Sequence, residues 1–216
     1  MTKAVTSLSN ATVKAVRALH MRKAREETNL FLAEGLKVIT EGVELGRAPK
    51  TLLFGPGADH PLLTKAIEAT RASGGEVIEV TRDILEKVSR RDNPQAVVAV
   101  FEQAFTPLDA LKPDAAACWV ALQAVRDPGN LGTIIRTADA AGCGGVILVG
   151  DCCDPYSVEA FTLDGATSSP HTGFCQAAFA ADSSSASCHC ASPFQTVALA
   201  FVQNRISTRL IASAGR

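Results

Sequence analysis

The chain has 216 residues, enough for one large domain or two modest ones, and at 47% hydrophobic it holds ample material for a core. Its formal net charge of −1 argues against a uniformly basic nucleic-acid coat but leaves room for a local basic patch. No stretch reaches the roughly 18 apolar residues of a membrane span, and MTKAVTSLSN lacks the apolar centre of a signal peptide, so a cytoplasmic protein with reduced thiols is expected.

In chain order, Ser9 or Asn10 is a good helix N-cap, and a helix is predicted from about 11 to 25. Val13, Val16 and Leu19 share one face. Lys14, Arg17, Arg22 and Arg25 gather on the other side, within an arc of about 140°. Such a stripe can track phosphates, as candidate RNA contacts, or simply be a solvated face. Phe31–Gly35 then reads as a strand turning into a helix over 36–46. A strand at 52–54, a helix at 62–73, a strand at 77–80, a helix at 82–88 and a strand at 96–101 follow. Strands alternating with helices indicate a layered α/β unit. Glu34-Gly35 and Asn93-Pro94-Gln95 read as structural, Gly35 permitting a turn and Pro94 fixing the start of a strand. Residues 107–115, with Pro107 and Pro113, read as a linker, which makes 1–106 the first domain.

The second domain is expected over 116–160. CWVALQAV (118–125) and GVILVG (145–150) are apolar runs of buried-strand type, and between them lies RDPGNLGTIIRTADA. Pro128, Gly129 and Gly132 are predicted to open a tight loop, and Thr133–Ala141 to form a short helix. That places Asn130 and Arg136 on a loop–helix junction past the carboxyl end of a strand, where α/β proteins bind and react with ligands. Arg136 can alternatively pair with Asp127 or Asp139. Gly142-Cys143-Gly144-Gly145 follows a helix and enters a strand, the reverse of a dinucleotide fingerprint, so it reads as a helix C-cap and turn. With no strand–Gly-x-Gly-x-x-Gly–helix unit, a nucleotide-dependent oxidoreductase is disfavoured.

The pattern Asn130-x-Gly132-x-x-x-Arg136-Thr137-Ala138 resembles the first signature motif of the SpoU/TrmH family of RNA ribose 2′-O-methyltransferases. The resemblance continues upstream through the basic helix, Phe-x-x-Glu-Gly and Asn-Pro-Gln elements of residues 8–105, and downstream into the loop DCCDPYS at 151–157. It implies a small amino-terminal α/β RNA-binding domain and an α/β-knot domain of the SPOUT type, here incomplete. It implies S-adenosylmethionine as cofactor, rRNA or tRNA as partner and a homodimer. Arg136 would act at the ribose or adjacent phosphate and Asn130 would position the turn or the ribose, while the cofactor-binding residues stay unassigned. A non-catalytic RNA-binding module derived from such an enzyme is the alternative.

The chain changes character near residue 161. Residues 1–160 hold 38 of the 43 charged side chains, and residues 161–216 contain no Gly-Ser-Glu-Gly, the family's next motif. Two losses at one point predict an atypical tail, disordered over Ala180–Ser192 or read in an altered frame, with Val197–Val202 as one strand or helical turn. His171, Cys175, Cys188, His189 and Cys190 lack the Cys-x-x-Cys type of spacing that structural zinc favours, so no metal is expected. Cys152 and Cys153, being adjacent, read as loop residues.

Overall fold

Asn10 starts the first helix by accepting hydrogen bonds at its side-chain carbonyl from the backbone N–H groups of Thr12 and Val13, at 2.9 and 3.3 Å. In this computed structural model, which describes residues 3–90, 95–107, 118–161, 177–180 and 200–202, the chain forms two units. The first comprises Met1–Gln103 and Tyr156–Asp164; the second comprises Ala104–Pro155 and Gly165–Arg216.

The first unit runs β1 (Lys3–Val5), α1 (Ala11–Ala18), α2 (Arg22–Thr28), β2 (Leu30–Glu34), α3 (Leu36–Glu44), β3 (Thr51–Phe54), α4 (Pro61–Ala72), β4 (Glu76–Val80), α5 (Arg82–Ser89) and β5 (Val97–Glu102). Its sheet has the order β1-β4-β3-β5-β2. β1, β4 and β3 are mutually parallel, while β5 runs antiparallel to both β3 and β2. Five of the six residues of β5 are buried, as expected for a strand covered on both faces. Val98 and Val100 join Val13 and Val16 of α1 and Ile84, Leu85 and Val88 of α5 in one core. Ala99 and Phe101, pointing the other way by strand alternation, are equally buried.

The single helix predicted over 11–25 is two helices. Residues Leu19–Met21 break it: Met21 N donates to Ala18 O at 2.8 Å, and Met21 itself is extended. No helix breaker sits in these three residues. The interruption is tertiary in origin, because the His20 ring nitrogen Nε2 lies 2.6 Å from Val88 O of α5, and Arg25 Nη1 donates to Leu19 O at 2.7 Å. Arg25 is thereby buried, only 3% exposed. The continuous basic stripe of the sequence reading is corrected accordingly: Arg25 is turned inward onto the carbonyl that ends α1.

At the end of β2, Gly35 has φ +103, a backbone state costly for any side chain. Glu34 beside it is buried and accepts a hydrogen bond from Gln95 N at 3.1 Å, tying β2 to the start of β5. Arg91, Asp92, Asn93 and Pro94 lie outside the described residues.

A later segment completes this unit. α7 (Val158–Phe161) packs against β2, the edge strand of the sheet. Tyr156 and Phe161 place their rings 4.6 and 4.7 Å from that of Phe31, which also stacks on Phe101 at 5.9 Å. Sequence reading groups these residues with the second domain; their rings pack with the first unit, because that is where an apolar partner of matching size lies.

The second unit has β6 (Trp119–Gln123), α6 (Pro128–Ala140) and β7 (Gly145–Val149), joined by β8 (Ala177–Ala180) and β9 (Ala200–Val202). The order is β8-β7-β6-β9, and every pairing is parallel. Two strands of the atypical tail thus extend the sheet; β9 falls inside the segment 197–202, and β8 ends at Ala180. The rest of 181–192, the linker residues 108–115, and His171, Cys175, Cys188, His189 and Cys190 lie outside the described residues. Leu131 and Ala138 of α6 pack on Leu122, Val146 and Leu148 to form the core of this unit. Among the described residues, no helix is long and apolar enough to cross a membrane.

Candidate functional site

The tight loop expected at Pro128–Gly132 is the first part of a helix. Pro128 occupies the first position of α6, where its missing N–H costs nothing. Asp127 caps it, Oδ1 accepting from Asn130 N at 2.7 Å. This cap and proline together offset two glycines, each of which costs a helix interior about 1 kcal/mol relative to alanine. The sequence signal was present: Asp-Pro is a helix start, and glycines two and five residues later obscured it.

Asn130 and Arg136 therefore both stand on one helix, about 9 Å apart along its axis and about 120° apart around it. No hydrogen bond joins them. Asn130 is exposed and Arg136 half-exposed. Arg136 Nη2 donates to Thr133 Oγ1 at 3.1 Å, and that hydroxyl donates to Gly129 O at 2.8 Å. Among the described residues Arg136 has no carboxylate partner, so the ion pair with Asp127 or Asp139 is not formed. Partial burial pulls its pKa below the ordinary arginine value.

The surroundings fix the carboxyl ends of β6 and β7. Ala124 takes φ +54, unusual for a residue with a side chain, and its N–H donates to Val149 O at 3.3 Å. Cys153 N donates to Val125 O at 2.8 Å. The buried Cys152 thiol reaches Leu122 O and Val149 O, both at 3.4 Å. The adjacent cysteines thus pin the loop after β7 across the end of β6, and burial pushes the Cys153 thiol up to about 11. Arg126 and Asp151 pair at 3.1 Å on the exposed rim, an interaction worth little in water. At the far end of α6, Gly142 has φ +71 and Cys143 N donates to Ala138 O at 2.9 Å, the geometry of a glycine C-cap.

The other candidate residues are in the first unit. Lys14 and Arg17 are exposed on α1, one turn apart. Arg22 is exposed on α2, where its Nε donates to Glu26 at 2.7 Å. Arg25 is withdrawn from any surface stripe by its burial. Among the described residues no cluster of His, Cys, Asp and Glu could hold a metal ion.

Comparison with known proteins matches two stretches of the chain. The MRM3-like substrate binding domain matches residues 10–99, and the SpoU rRNA Methylase family matches residues 117–184, past the change in charge near residue 161. The 23S rRNA (guanosine(2553)-2′-O)-methyltransferase RlmP of Bacillus subtilis is 32% identical over 158 residues, which cover 72% of this chain and 58% of that protein. A crystal structure of an AdoMet-bound rRNA methyltransferase from Sinorhizobium meliloti superposes with a TM-score of 0.75 at 43% identity, over 85% of this chain and 66% of that one. The SpoU methyltransferase AviRb from Streptomyces viridochromogenes, in complex with AdoMet, gives a TM-score of 0.66 at 28% identity, over 82% of this chain and 65% of that one. The chain thus spans less than two thirds of the length of these relatives. With both halves matched in order, and the Asn130–Arg136 helix set between two parallel strands, the chain belongs to the SpoU/TrmH family.

Proposed function

We propose that this chain serves the methylation of a ribose 2′-hydroxyl in rRNA or tRNA, using S-adenosylmethionine. The observation that carries the reading is Arg136: a half-buried guanidinium without a carboxylate, on a helix that starts at the carboxyl end of a parallel strand. A guanidinium is a poor proton acceptor at neutral pH. Its role in this reading is electrostatic, holding the ribose or the adjacent phosphate and stabilising the alkoxide that develops at the 2′-oxygen. Asn130, exposed in the first turn of α6, positions the ribose from the strand side. The cofactor, when bound, supplies a methyl group on a sulfonium. Among the described residues, nothing lies within 4 Å of where a Cβ would stand at the Gly150 turn (φ +68), so the space after β7 is open there.

Lys14, Arg17 and Arg22 are the phosphate contacts of the first unit in this reading, and Arg25 supports them from behind. Replacing Lys14 and Arg17 together by alanine is expected to lower the slope of log affinity against log salt by about 1 for each residue, with little effect on stability. Fluorescence anisotropy with a labelled rRNA fragment across a salt series measures this. By the family resemblance the protein works as a homodimer in the cytoplasm, which light scattering and cell fractionation test.

The missing Gly-Ser-Glu-Gly in residues 161–216 supports a second reading, a non-catalytic RNA-binding module. Calorimetry with S-adenosylmethionine, followed by transfer of labelled methyl groups to rRNA, separates the two. Micromolar binding with label in 2′-O-methylribose supports the enzyme. No cofactor binding, with RNA affinity retained, overturns it in favour of the module. The tail itself we read as frame-altered after about residue 160; absence of the family motifs from both other frames of the gene would sink that idea.

A further inference from the structure

The two ends of the β6–α6–β7 unit bring a second pair of reactive groups together, away from Asn130 and Arg136. Cys118 immediately precedes β6, and Cys143 precedes β7 by two residues. The strands are parallel neighbours in the register Trp119↔Gly145, and Gly144 N donates to Cys118 O at 2.8 Å. Neighbouring strands lie about 4.8 Å apart, within the Cα separation of roughly 4.4–6.8 Å that a disulfide spans. Cys118 is exposed and Cys143 half-exposed, so a small oxidant in solution reaches them. Cys152 and Cys153 are unlike this pair: they are adjacent in sequence, and Cys152 is spent on two carbonyls within the core.

We propose that Cys118 and Cys143 form a redox-modification site, a dithiol that a peroxide converts reversibly to a disulfide. The exposed Cys118 is the attacking thiol. Its sulfur, as thiolate, takes one oxygen from the peroxide as the O–O bond breaks, giving a sulfenic acid and releasing water (from hydrogen peroxide) or an alcohol. The Cys143 sulfur then attacks the Cys118 sulfur, the S–O bond breaks, and a second water leaves with the Cys143 proton. Two thiols are oxidised, the peroxide is reduced, and an added thiol such as dithiothreitol reverses the bond by exchange. Cys118, the more exposed of the two, meets the oxidant first, and Cys143 resolves the sulfenic acid. The closed loop contains the whole of α6. The bond lies at the amino ends of the strands, roughly 16 Å along β6 from the turn that leads to Asn130, while Arg136, in the second half of α6, lies nearer to it.

The test is peptide mass mapping of the full chain, without reduction, after treatment with hydrogen peroxide. The expected result is a peptide pair joined through Cys118 and Cys143 with loss of two hydrogens, absent after dithiothreitol. The melting temperature is expected to rise on oxidation and return on reduction. Sulfinic acid at Cys118 with Cys143 still open to alkylation overturns the proposal, as does cross-linking of Cys118 to another cysteine or between chains. In Cys143→Ser, Cys118 is expected to stop at the sulfenic acid, trapped by dimedone. If that variant does not fold, the wild-type map decides alone.

Discussion

Arg25 and Arg136 are the same residue type, each set on a helix of a small α/β unit, and they do opposite work. Arg25 is 3% exposed and donates to the backbone carbonyl of Leu19; its charge is absorbed by the fold. Arg136 is half-exposed, has Thr133 as its hydrogen-bond partner, and meets no carboxylate among the described residues. The difference teaches that a buried arginine facing a carbonyl is an internal strut, whereas one held by a neutral hydroxyl and half-exposed keeps its charge toward solvent, where the proposed function uses it. Sequence spacing puts both on candidate lists with equal force.

Four measurements break or sharpen that comparison. Arg136→Ala is expected to lower methyl transfer to rRNA by about 10²–10³-fold while changing the urea midpoint little. Equal loss of stability and turnover would reduce Arg136 to a second strut. For Arg25→Met the expectation is the reverse: a stability loss of about 2–3 kcal/mol from the unmet Leu19 carbonyl and lost packing, read by urea denaturation, with the salt slope of RNA binding unchanged. A steeply altered salt slope in a well-folded Arg25→Met protein would return Arg25 to the RNA-facing set. Ala124→Gly relieves a left-handed alanine and is expected to stabilise the second unit by about 0.5–1 kcal/mol, read by urea denaturation.

The smallest effect concerns His20, which helps make the break that turns Arg25 inward. Burial lowers its pKa below the ordinary histidine value, more than the Val88 carbonyl raises it. The folded state thus favours the neutral ring. Its contribution to stability is present above the unfolded value of about 6.5 and is lost as pH falls below it toward the lower folded value. The urea midpoint is expected to drop as pH falls below about 6.5, and to drop less in His20→Gln. An equal drop in both proteins would clear His20 of the role.

The sequence carried the alternation of strands and helices almost residue for residue. β2, β3, β4 and β7 begin or end within one position of where periodicity puts them, because each is an apolar run bounded by a turn former. The Asn130–Arg136 motif was equally legible, since it depends on spacing alone. Three things were not. The break at Leu19–Met21 is imposed by contacts with residues far along the chain, and no local propensity announces it. The start of α6 was displaced because Gly129 and Gly132 read as a loop until the Asp127 cap and Pro128 are counted together. The sheet order β1-β4-β3-β5-β2 was also beyond reach. Its edge strand β1 has three residues, too few to show a period.

The aromatic cluster around Phe31 has a consequence for how the protein is made. Phe31 is fully buried, and two of its ring partners, Tyr156 and Phe161, come from more than a hundred residues downstream. A chain emerging amino end first can pair β2 with β5 early, but the edge of that sheet stays uncovered until residue 161 has been synthesised. Through that interval an exposed phenylalanine forfeits roughly 2 kcal/mol of burial and offers an open strand edge to neighbouring chains. A nascent fragment stopping near residue 106 is the species a chaperone would be expected to hold.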